Sequence, residues 1–262
     1  MKFEWTKTDW EPLLPMIEAY QTDLGWQNDG FHNGMLFDNQ AYRIDIDGRA
    51  AGFFSLGNAW EGGNLLCGLY LMPEYHAVSA EIFSRLIDTL PVRTALVPSN
   101  DALLVSLAFE QMHARKTDFD IQAYNFTYGE PMRPAEFGRE TFSEITPDEY
   151  EAADRRTEGQ WSGCFGNPNF RFYAIRLGGE TLGYGATAKL KYNPRHMDIG
   201  NFTLPQHRRK GVGRSLLIHL GSTVREQGYI PVAGCWYYNK ESIPTLKSSG
   251  YLPTNRIFYV KF

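Results

Sequence analysis

The two halves of the sequence repeat one order of strand, turn and helix signals. Strand-type alternation flanks Asp47-Gly48 in the first half and Gly178-Gly179 in the second, and both dipeptides favour tight hairpin turns. In each half an apolar strand then runs to a proline, followed by an amphipathic helical pattern and a strand that leads to an asparagine. The post-hairpin glycines Gly52 and Gly183 lie 131 residues apart, which is half of the 262-residue chain. Repeats of this length, each alternating strands and helices, predict two duplicated α/β domains.

A segment rich in proline and glycine separates the repeats. Residues Tyr128–Gly138, "YGEPMRPAEFG", contain two prolines and two glycines and are typical of a linker. We therefore expect an N-terminal domain over residues 1–128, a linker over 129–140 and a C-terminal domain over 141–262.

Charge divides the chain in the same way. Residues 1–131 carry 8 Lys and Arg against 18 Asp and Glu, whereas residues 132–262 carry 18 against 12. A basic second half suits a phosphate-rich ligand. The surplus of basic over acidic residues is small and no nucleic-acid-binding motif accompanies it, so nucleic acid is not expected as a partner. The three cysteines have neither disulfide nor metal spacing, and no apolar run is long enough for a membrane span. These features predict a cytoplasmic protein with no metal and no membrane partner.

The turn in "FTLPQHRRKGVGRSLLIHL" has the composition of an anion site. A strand ends at Leu204-Pro205, a helix is expected to begin near Gly213, and the basic residues Arg208–Lys210 lie between them. Glycines let backbone N–H groups approach an anion, and the first turn of a helix presents N–H groups that have no partners within the helix. The turn is interpreted as a pyrophosphate cradle, and a solvated basic helix cap is the alternative. It matches neither the P-loop nor the Rossmann pattern.

In this order, the segments resemble the GNAT superfamily of acetyl-CoA-dependent acyltransferases over about residues 141–262. The family's pyrophosphate loop, [RQ]-x-x-G-x-[GA], is matched here by Arg208, Gly211 and Gly213. Its later motif, an asparagine after the fifth strand with a small residue and a Gly-aromatic pair beyond it, is matched by Asn239, Ser242, Gly250 and Tyr251.

The resemblance implies a fold and a set of ligand contacts. The fold is α/β (α+β), with two tandem GNAT-like domains that are each a mixed, mostly antiparallel twisted sheet flanked by helices. Acetyl-CoA would bind with its pantetheine arm lying along a splay of the sheet. The residues expected to contact it are Asn201, Phe202, Thr203, Arg208, Arg209, Lys210, Gly211, Val212, Gly213, Arg214, Asn239 and Ser242. A helix N-cap is the alternative role of Asn239.

The N-terminal repeat departs from the ligand pattern. His76, Ser79 and Glu81 stand where the loop residues Arg208, Gly211 and Gly213 would be, so both glycines are lost and a carboxylate is added. We expect this domain to keep the fold without the cofactor. Its acidic surface either attracts an amine substrate or is an ordinary solvated surface.

Proton transfer needs residues other than those at the family's usual positions. The positions where family members carry an acid or a base hold Leu246, Gly234 and Met197, none of which can transfer a proton. Tyr238 is the first candidate for the general acid and Tyr237 the second. Catalysis by positioning with a water relay is equally consistent with the sequence.

The function expected is acetyl-CoA-dependent N-acetylation of a primary amine on a small molecule or a protein. Two alternatives remain: a non-catalytic acyl-CoA-binding module, and a transferase of the related doubled fold that uses aminoacyl-tRNA. The intact pyrophosphate loop weighs against the second alternative. The chain is expected to be a monomer or a homodimer. The segment Glu158–Phe170 either lines an acceptor pocket or is a glycine-rich connection anchored by aromatic residues.

Overall fold

The computed structural model describes residues 1–25 and 27–262, which form two compact units. Unit 1 comprises Met1–Tyr124 and Asn255–Phe262, and unit 2 comprises Asn125–Thr254. Two strands contribute residues to both units: β6 (Phe119–Tyr128) and β12 (Tyr251–Lys261).

Unit 1 is a mixed sheet with helices. Its own strands are β1 (Phe3–Thr8), β2 (Gln40–Ile46), β3 (Arg49–Asn58), β4 (Asn64–Leu71) and β5 (Val92–Pro98), and its helices are α1 (Leu14–Leu24), α2 (Gly30–Phe37), α3 (Ser79–Thr89) and α4 (Ala102–Arg115). Strands β1 to β4 pair in antiparallel order, and β5 pairs parallel to β4. Buried aliphatic and aromatic side chains from the sheet, α3 and α4 form its main core.

Unit 2 repeats this plan. Its strands are β7 (Phe142–Glu144), β8 (Phe170–Leu177), β9 (Glu180–Lys189), β10 (His196–Thr203) and β11 (Ile230–Trp236), and its helices are α5 (Tyr150–Arg156), α6 (Val212–Glu226) and α7 (Ser242–Ser248). Strands β7 to β10 are antiparallel, and β11 runs parallel to β10. The expected fold, mixed and mostly antiparallel sheets flanked by helices in two tandem units, is confirmed.

Both predicted hairpins form with the turn that their residues require. Asp47 and Gly48 have φ angles of 48° and 79°, and Gly178 and Gly179 have φ angles of 58° and 83°. Positive φ at both central residues defines the type I′ turn, whose twist matches that of the flanking strands.

The end of the chain differs from the expected domain limits. Residues Ile257–Lys261 of β12 pair antiparallel with Thr94–Pro98 of β5, and so Asn255–Phe262 belongs to unit 1 rather than to the C-terminal domain. This pairing joins segments about 160 positions apart, and no local sequence signal marks it. The three cysteines are free thiols. Within the described residues, no helix combines the length and apolarity needed to cross a bilayer.

Candidate functional site

Strands β10 and β11 separate part-way along their length. Their parallel pairing runs from His196↔Ile230 to Asp198↔Val232, whereas β10 stays paired with β9 as far as Thr203↔Gly183. The backbone of β10 beyond Asp198 therefore has one edge held by β9 and one edge turned toward the gap. An extended ligand can pair with such an edge in the manner of an added strand.

The basic turn leads from β10 into α6. Arg209 has a φ of 62° and Gly211 a φ of 80°, and α6 begins at Val212. Helix α6 packs against β9 and β10, and its apolar face is buried. A Cβ on Gly185 of β9 would lie 2.8 Å from Cδ1 of Leu220, so the glycine allows this close packing. The first turn of α6 is thereby fixed with its free N–H groups at the mouth of the β10–β11 gap.

A groove of about 730 Å³ runs past this turn. Its lining includes every residue predicted from the sequence to contact the cofactor except Lys210. Gln160 comes from the segment Glu158–Phe170 that the sequence indicated, and the lining residues that it did not indicate are Lys240, Glu241, Pro244, Thr245 and Ser248. Arg208, Arg209 and Arg214 give the groove the positive charge that an anionic ligand requires.

The linker lies against the start of α6. The backbone N–H groups of Glu136 and Phe137 donate to Oγ of Ser215 at 2.9 and 3.1 Å. The guanidinium of Arg214 donates to the carbonyl oxygen of Pro134 at 3.0 Å and forms an ion pair with Glu136. One carboxylate therefore stands beside a cluster of cations, and it competes with any anion for Arg214.

The two loop glycines stand where a side chain would meet its neighbours. A Cβ at Gly211 would lie 2.1 Å from Cγ of Glu136, and its φ of 80° disfavours any other residue. A Cβ at Gly213 would lie 3.1 Å from Nδ2 of Asn201 and 3.2 Å from Oγ1 of Thr203. Larger residues would displace the surrounding side chains or strain the backbone. Exposed backbone N–H groups at such a loop can bind an anion, and the assignment of this anion as the pyrophosphate of acetyl-CoA stays a prediction.

Asn239 makes a capping contact. Its Oδ1 accepts a hydrogen bond at 3.0 Å from the backbone N–H of Ser242, the first residue of α7. Both residues also line the groove, so Asn239 can cap the helix and contact a ligand from the same position.

The two tyrosine candidates follow β11. Tyr238 has 70% of its surface exposed and Tyr237 has 40%, and neither is part of the groove lining. The ring of Tyr238 is parallel to that of Trp236, with centroids 6.4 Å apart. The assignment of Tyr238 or Tyr237 as general acid remains a prediction. Burial and the nearby Arg195 lower the pKa of His196 below its ordinary value.

The segment from Glu158 to Phe170 is anchored by aromatic residues, as one of its two interpretations predicts, and its role in an acceptor pocket stays a prediction. Phe165 stacks on Phe172 with a centroid distance of 4.2 Å, Trp161 meets the same ring edge-to-face at 5.9 Å, and both contacts anchor the segment to the core of unit 2. Gln160, next to this anchor, reaches the groove lining.

In unit 1 the corresponding loop has a different structure. Residues Pro73–Val78 form a 3-10 helix, and the Nε2 atom of His76 lies 3.0 Å from the carbonyl oxygen of Leu71. Asn100, the counterpart of Asn239, donates to the carbonyl oxygen of Leu24 and accepts from Asn255. In unit 1 both positions contribute to the internal hydrogen-bond network.

Comparison with known families identifies both halves of the chain. The acetyltransferase (GNAT) domain family matches residues 10–129, and the acetyltransferase (GNAT) family matches residues 136–251. No functionally curated protein is significantly similar to the chain in sequence.

Solved structures share the fold over the whole chain. A GNAT-family acetyltransferase from Colwellia psychrerythraea has a TM-score of 0.82 at 16% identity, and the match covers 100% of each chain. A tandem GNAT protein from the clavulanic acid biosynthesis pathway has a TM-score of 0.60 at 14% identity, with 98% of each chain covered. A GCN5-related N-acetyltransferase from Sphaerobacter thermophilus has a TM-score of 0.59 at 12% identity, with 99% of this chain and 95% of that chain covered.

Proposed function

Because the chain belongs to the GNAT family of acyltransferases and carries two of its domains in tandem, we propose that unit 2 uses acetyl-CoA to acetylate a primary amine. The observation that carries this proposal is the continuity of the groove, which joins the loop at Gly211 to the gap between β10 and β11. The acceptor is a small molecule or a protein, and the three free cysteines favour a reducing, cytoplasmic setting.

The residues of the groove have distinct roles in this proposal. The backbone of Asn201–Thr203 would pair with the pantetheine arm, and the N–H groups at the start of α6, with Arg208 and Arg209, would hold the pyrophosphate. The bound group supplies a thioester carbonyl that is activated toward amines. Holding the two reactants in one orientation lowers the entropic part of the barrier, and this requires no proton-transferring side chain.

Proton transfer completes the proposed mechanism. The hydroxyl of Tyr238, or that of Tyr237, is the proposed donor of the proton that the leaving thiolate needs, and water is the proposed acceptor of the amine proton. A phenolic hydroxyl can donate a proton, which suits a tyrosine to the role of an acid.

A non-catalytic acyl-CoA-binding module is the second candidate function. Met197 and Leu246, at two positions where relatives of this fold carry proton-transferring groups, are buried apolar side chains. Binding without turnover would follow if Tyr237 and Tyr238 both lack access to the thiol and no water relay takes their place.

A thermal-shift titration with acetyl-CoA tests binding, and a thiol-release assay with a panel of primary amines tests turnover. At 100 times its Kd, a ligand stabilises the folded state by roughly 2.7 kcal/mol, which gives a clear shift in Tm. A shift with thiol release supports the enzyme, and a shift with no release from any amine supports the binding module. A folded protein whose Tm does not respond to acetyl-CoA contradicts both.

A further inference from the structure

A second groove of unit 2 adjoins the groove that passes Gly211. Its volume of about 510 Å³ lies within the range of about 300–1,000 Å³ that is typical of small-molecule sites. The residues that line only the second groove are Met132 and Arg133 of the linker and Lys247 of α7. The residues that line both grooves are Arg214, Pro244, Thr245 and Ser248. A ligand held at the loop of Gly211 can therefore extend past Arg214 into the second groove.

The second groove carries a surplus of positive charge. Arg133, Arg214 and Lys247 line it, and none of its described lining residues has a carboxylate. Arg214 pairs with Glu136, whereas the side chains of Arg133 and Lys247 are exposed and form no ion pair with any described residue. Two uncompensated cations from separate segments favour an anion of about two charges, such as a phosphate monoester.

Met132 and Arg133 are held between two fixed points of unit 2. On one side, Gly250 packs so closely against the linker that a Cβ there would lie 2.6 Å from the backbone nitrogen of Pro131. On the other side, the carbonyl oxygen of Pro134 accepts the hydrogen bond from Arg214 at 3.0 Å. Each proline also fixes its own φ angle, so the segment loses little conformational freedom when a ligand binds to it.

The second groove also offers apolar surface beside its cations. Met132 has 76% of its surface exposed, and Pro244 lines the same groove. A thioether side chain makes favourable contacts with aromatic rings and adapts its shape to them. The groove thus combines a surface for a planar ring with cations for a phosphate monoester, and a nucleoside phosphate presents both groups.

We propose that the second groove binds the nucleoside 3′-phosphate end of coenzyme A, and that Arg133 and Lys247 select the 3′-phosphate. This rests on the proposed function, in which the pyrophosphate lies at the loop of Gly211. From that loop the pantetheine arm leads toward the gap between β10 and β11. The other end of coenzyme A, a ribose 3′-phosphate with its adenine, then leads past Arg214 into the second groove. A residue of the linker therefore sets the specificity of unit 2 for its cofactor.

Calorimetric titrations of the full-length chain with coenzyme A and with 3′-dephospho-coenzyme A test the proposal. The two compounds differ only in the 3′-phosphate, so the ratio of their Kd values reports the contacts of that group. An exposed ion pair changes affinity by about threefold, and two such pairs should give the wild type a preference of about tenfold for coenzyme A. The preference should shrink at high salt, which screens exposed charges.

Substitutions assign this preference to particular residues. Arg133→Gln and Lys247→Gln should each reduce it to about threefold, and the double variant should abolish it. Lys189→Gln removes an exposed cation from unit 2 outside both grooves and should keep the full preference. Met132→Ser should weaken the binding of both compounds by the same factor, because both carry the adenine.

The outcomes separate this proposal from the one on which it rests. Equal Kd values for the two compounds in the wild type overturn the 3′-phosphate site and leave the proposed function standing. A preference that persists in the double variant of Arg133 and Lys247 also overturns the site. If neither compound binds to the folded protein, both proposals fail. The comparison of the two compounds on the wild type does not depend on the folding of any variant.

Discussion

Gly211 and Glu136 lie so close together that a Cβ on residue 211 would come within 2.1 Å of Cγ of the glutamate. Gly211→Ala should therefore displace Glu136 or distort the loop, and acetyl-CoA affinity should fall by about tenfold or more. A left-handed φ costs a non-glycine residue roughly 1–2 kcal/mol, so stability should fall as well. Calorimetric titration and urea unfolding measure the two effects.

Gly228→Ala is the matched control for this change. Gly228 has a φ of 84°, and a Cβ there would meet no atom within 4 Å. The Gly228→Ala variant should lose about as much folding stability as Gly211→Ala and should bind acetyl-CoA with the affinity of the wild type. Equal affinities in the two alanine variants would show that the loop geometry at Gly211 does not matter for binding.

The ion pair between Glu136 and Arg214 predicts a gain of affinity. Glu136→Gln removes the carboxylate that competes with the pyrophosphate for Arg214, and acetyl-CoA should bind about two- to fivefold more tightly, as expected for a partly exposed pair. The gain should shrink at high salt, which screens the charges. Glu151→Gln, which breaks the exposed pair with Arg155, should leave the Kd unchanged. If Glu136→Gln instead binds acetyl-CoA more weakly than the wild type does, Glu136 helps to hold Arg214 in place for the ligand.

Asn239→Asp separates the capping role of Asn239 from its ligand role. Aspartate caps a helix as well as asparagine does, so the Tm should remain close to that of the wild type. The carboxylate lacks the amide donor and adds negative charge to the groove, and acetyl-CoA should bind about tenfold more weakly. Asn239→Ala should lose both the helix cap, at a cost of about 1 kcal/mol of stability, and the contact with acetyl-CoA. Unchanged affinity in Asn239→Asp would leave capping as the role of this residue.

Asp101 predicts a pH dependence of stability. Burial raises its pKa from 3.8 to about 6, so the folded state binds the proton more tightly than the unfolded state. The stability from this group is complete below about pH 4 and is lost as the pH rises through about 6, by up to about 3 kcal/mol. Asp101→Asn keeps the cap on Leu104, and its free energy of unfolding from urea titrations should not show this loss.

A second aspartate supplies a control of opposite sign. A hydrogen bond from Thr146 lowers the pKa of Asp148, so its contribution is present above the ordinary pKa and is lost as the pH falls. Relative to Asp148→Asn, the wild type should therefore gain stability as the pH rises. A flat difference between the wild type and Asp101→Asn from pH 4 to pH 7 would contradict the raised pKa.

Tyr238→Phe tests the proposed general acid. Loss of the hydroxyl should lower kcat by about a hundredfold while leaving the Kd of acetyl-CoA unchanged, because Tyr238 lies outside the groove lining. Tyr237→Phe is the matched neighbour and should have the smaller effect. Unchanged kcat in both variants would assign the chemistry to positioning and a water relay.

Local chemistry explains which parts of the structure the sequence predicts. The hairpins at Asp47-Gly48 and Gly178-Gly179 depend on residues that tolerate positive φ, and the loop at Gly211 depends on a motif of six residues. Each of these signals is contained in a few consecutive residues.

The features that the sequence did not predict depend on contacts between distant segments. Glu136 meets Gly211 and Arg214 from the linker, and within the segment Glu158–Phe170 nothing in the sequence singles out Gln160 as the residue that reaches the groove. Neither position carries a pattern that marks it, since the partner is set by tertiary packing. The strand pairing of Ile257 with Pro98 is unpredictable for the same reason.

The return of β12 to β5 sets the order in which the protein can be completed on the ribosome. Strand β5 emerges early, yet its partner Ile257–Lys261 is translated only after all of unit 2. At 5–20 residues per second, an edge that includes Ala95, Leu96 and Val97 stays uncovered for roughly ten to thirty seconds. Such an edge is a template for wrong pairing between nascent chains. Strand β12 therefore completes the first unit only after the second has been translated, and a chain that stops before Ile257 leaves this edge of β5 uncovered.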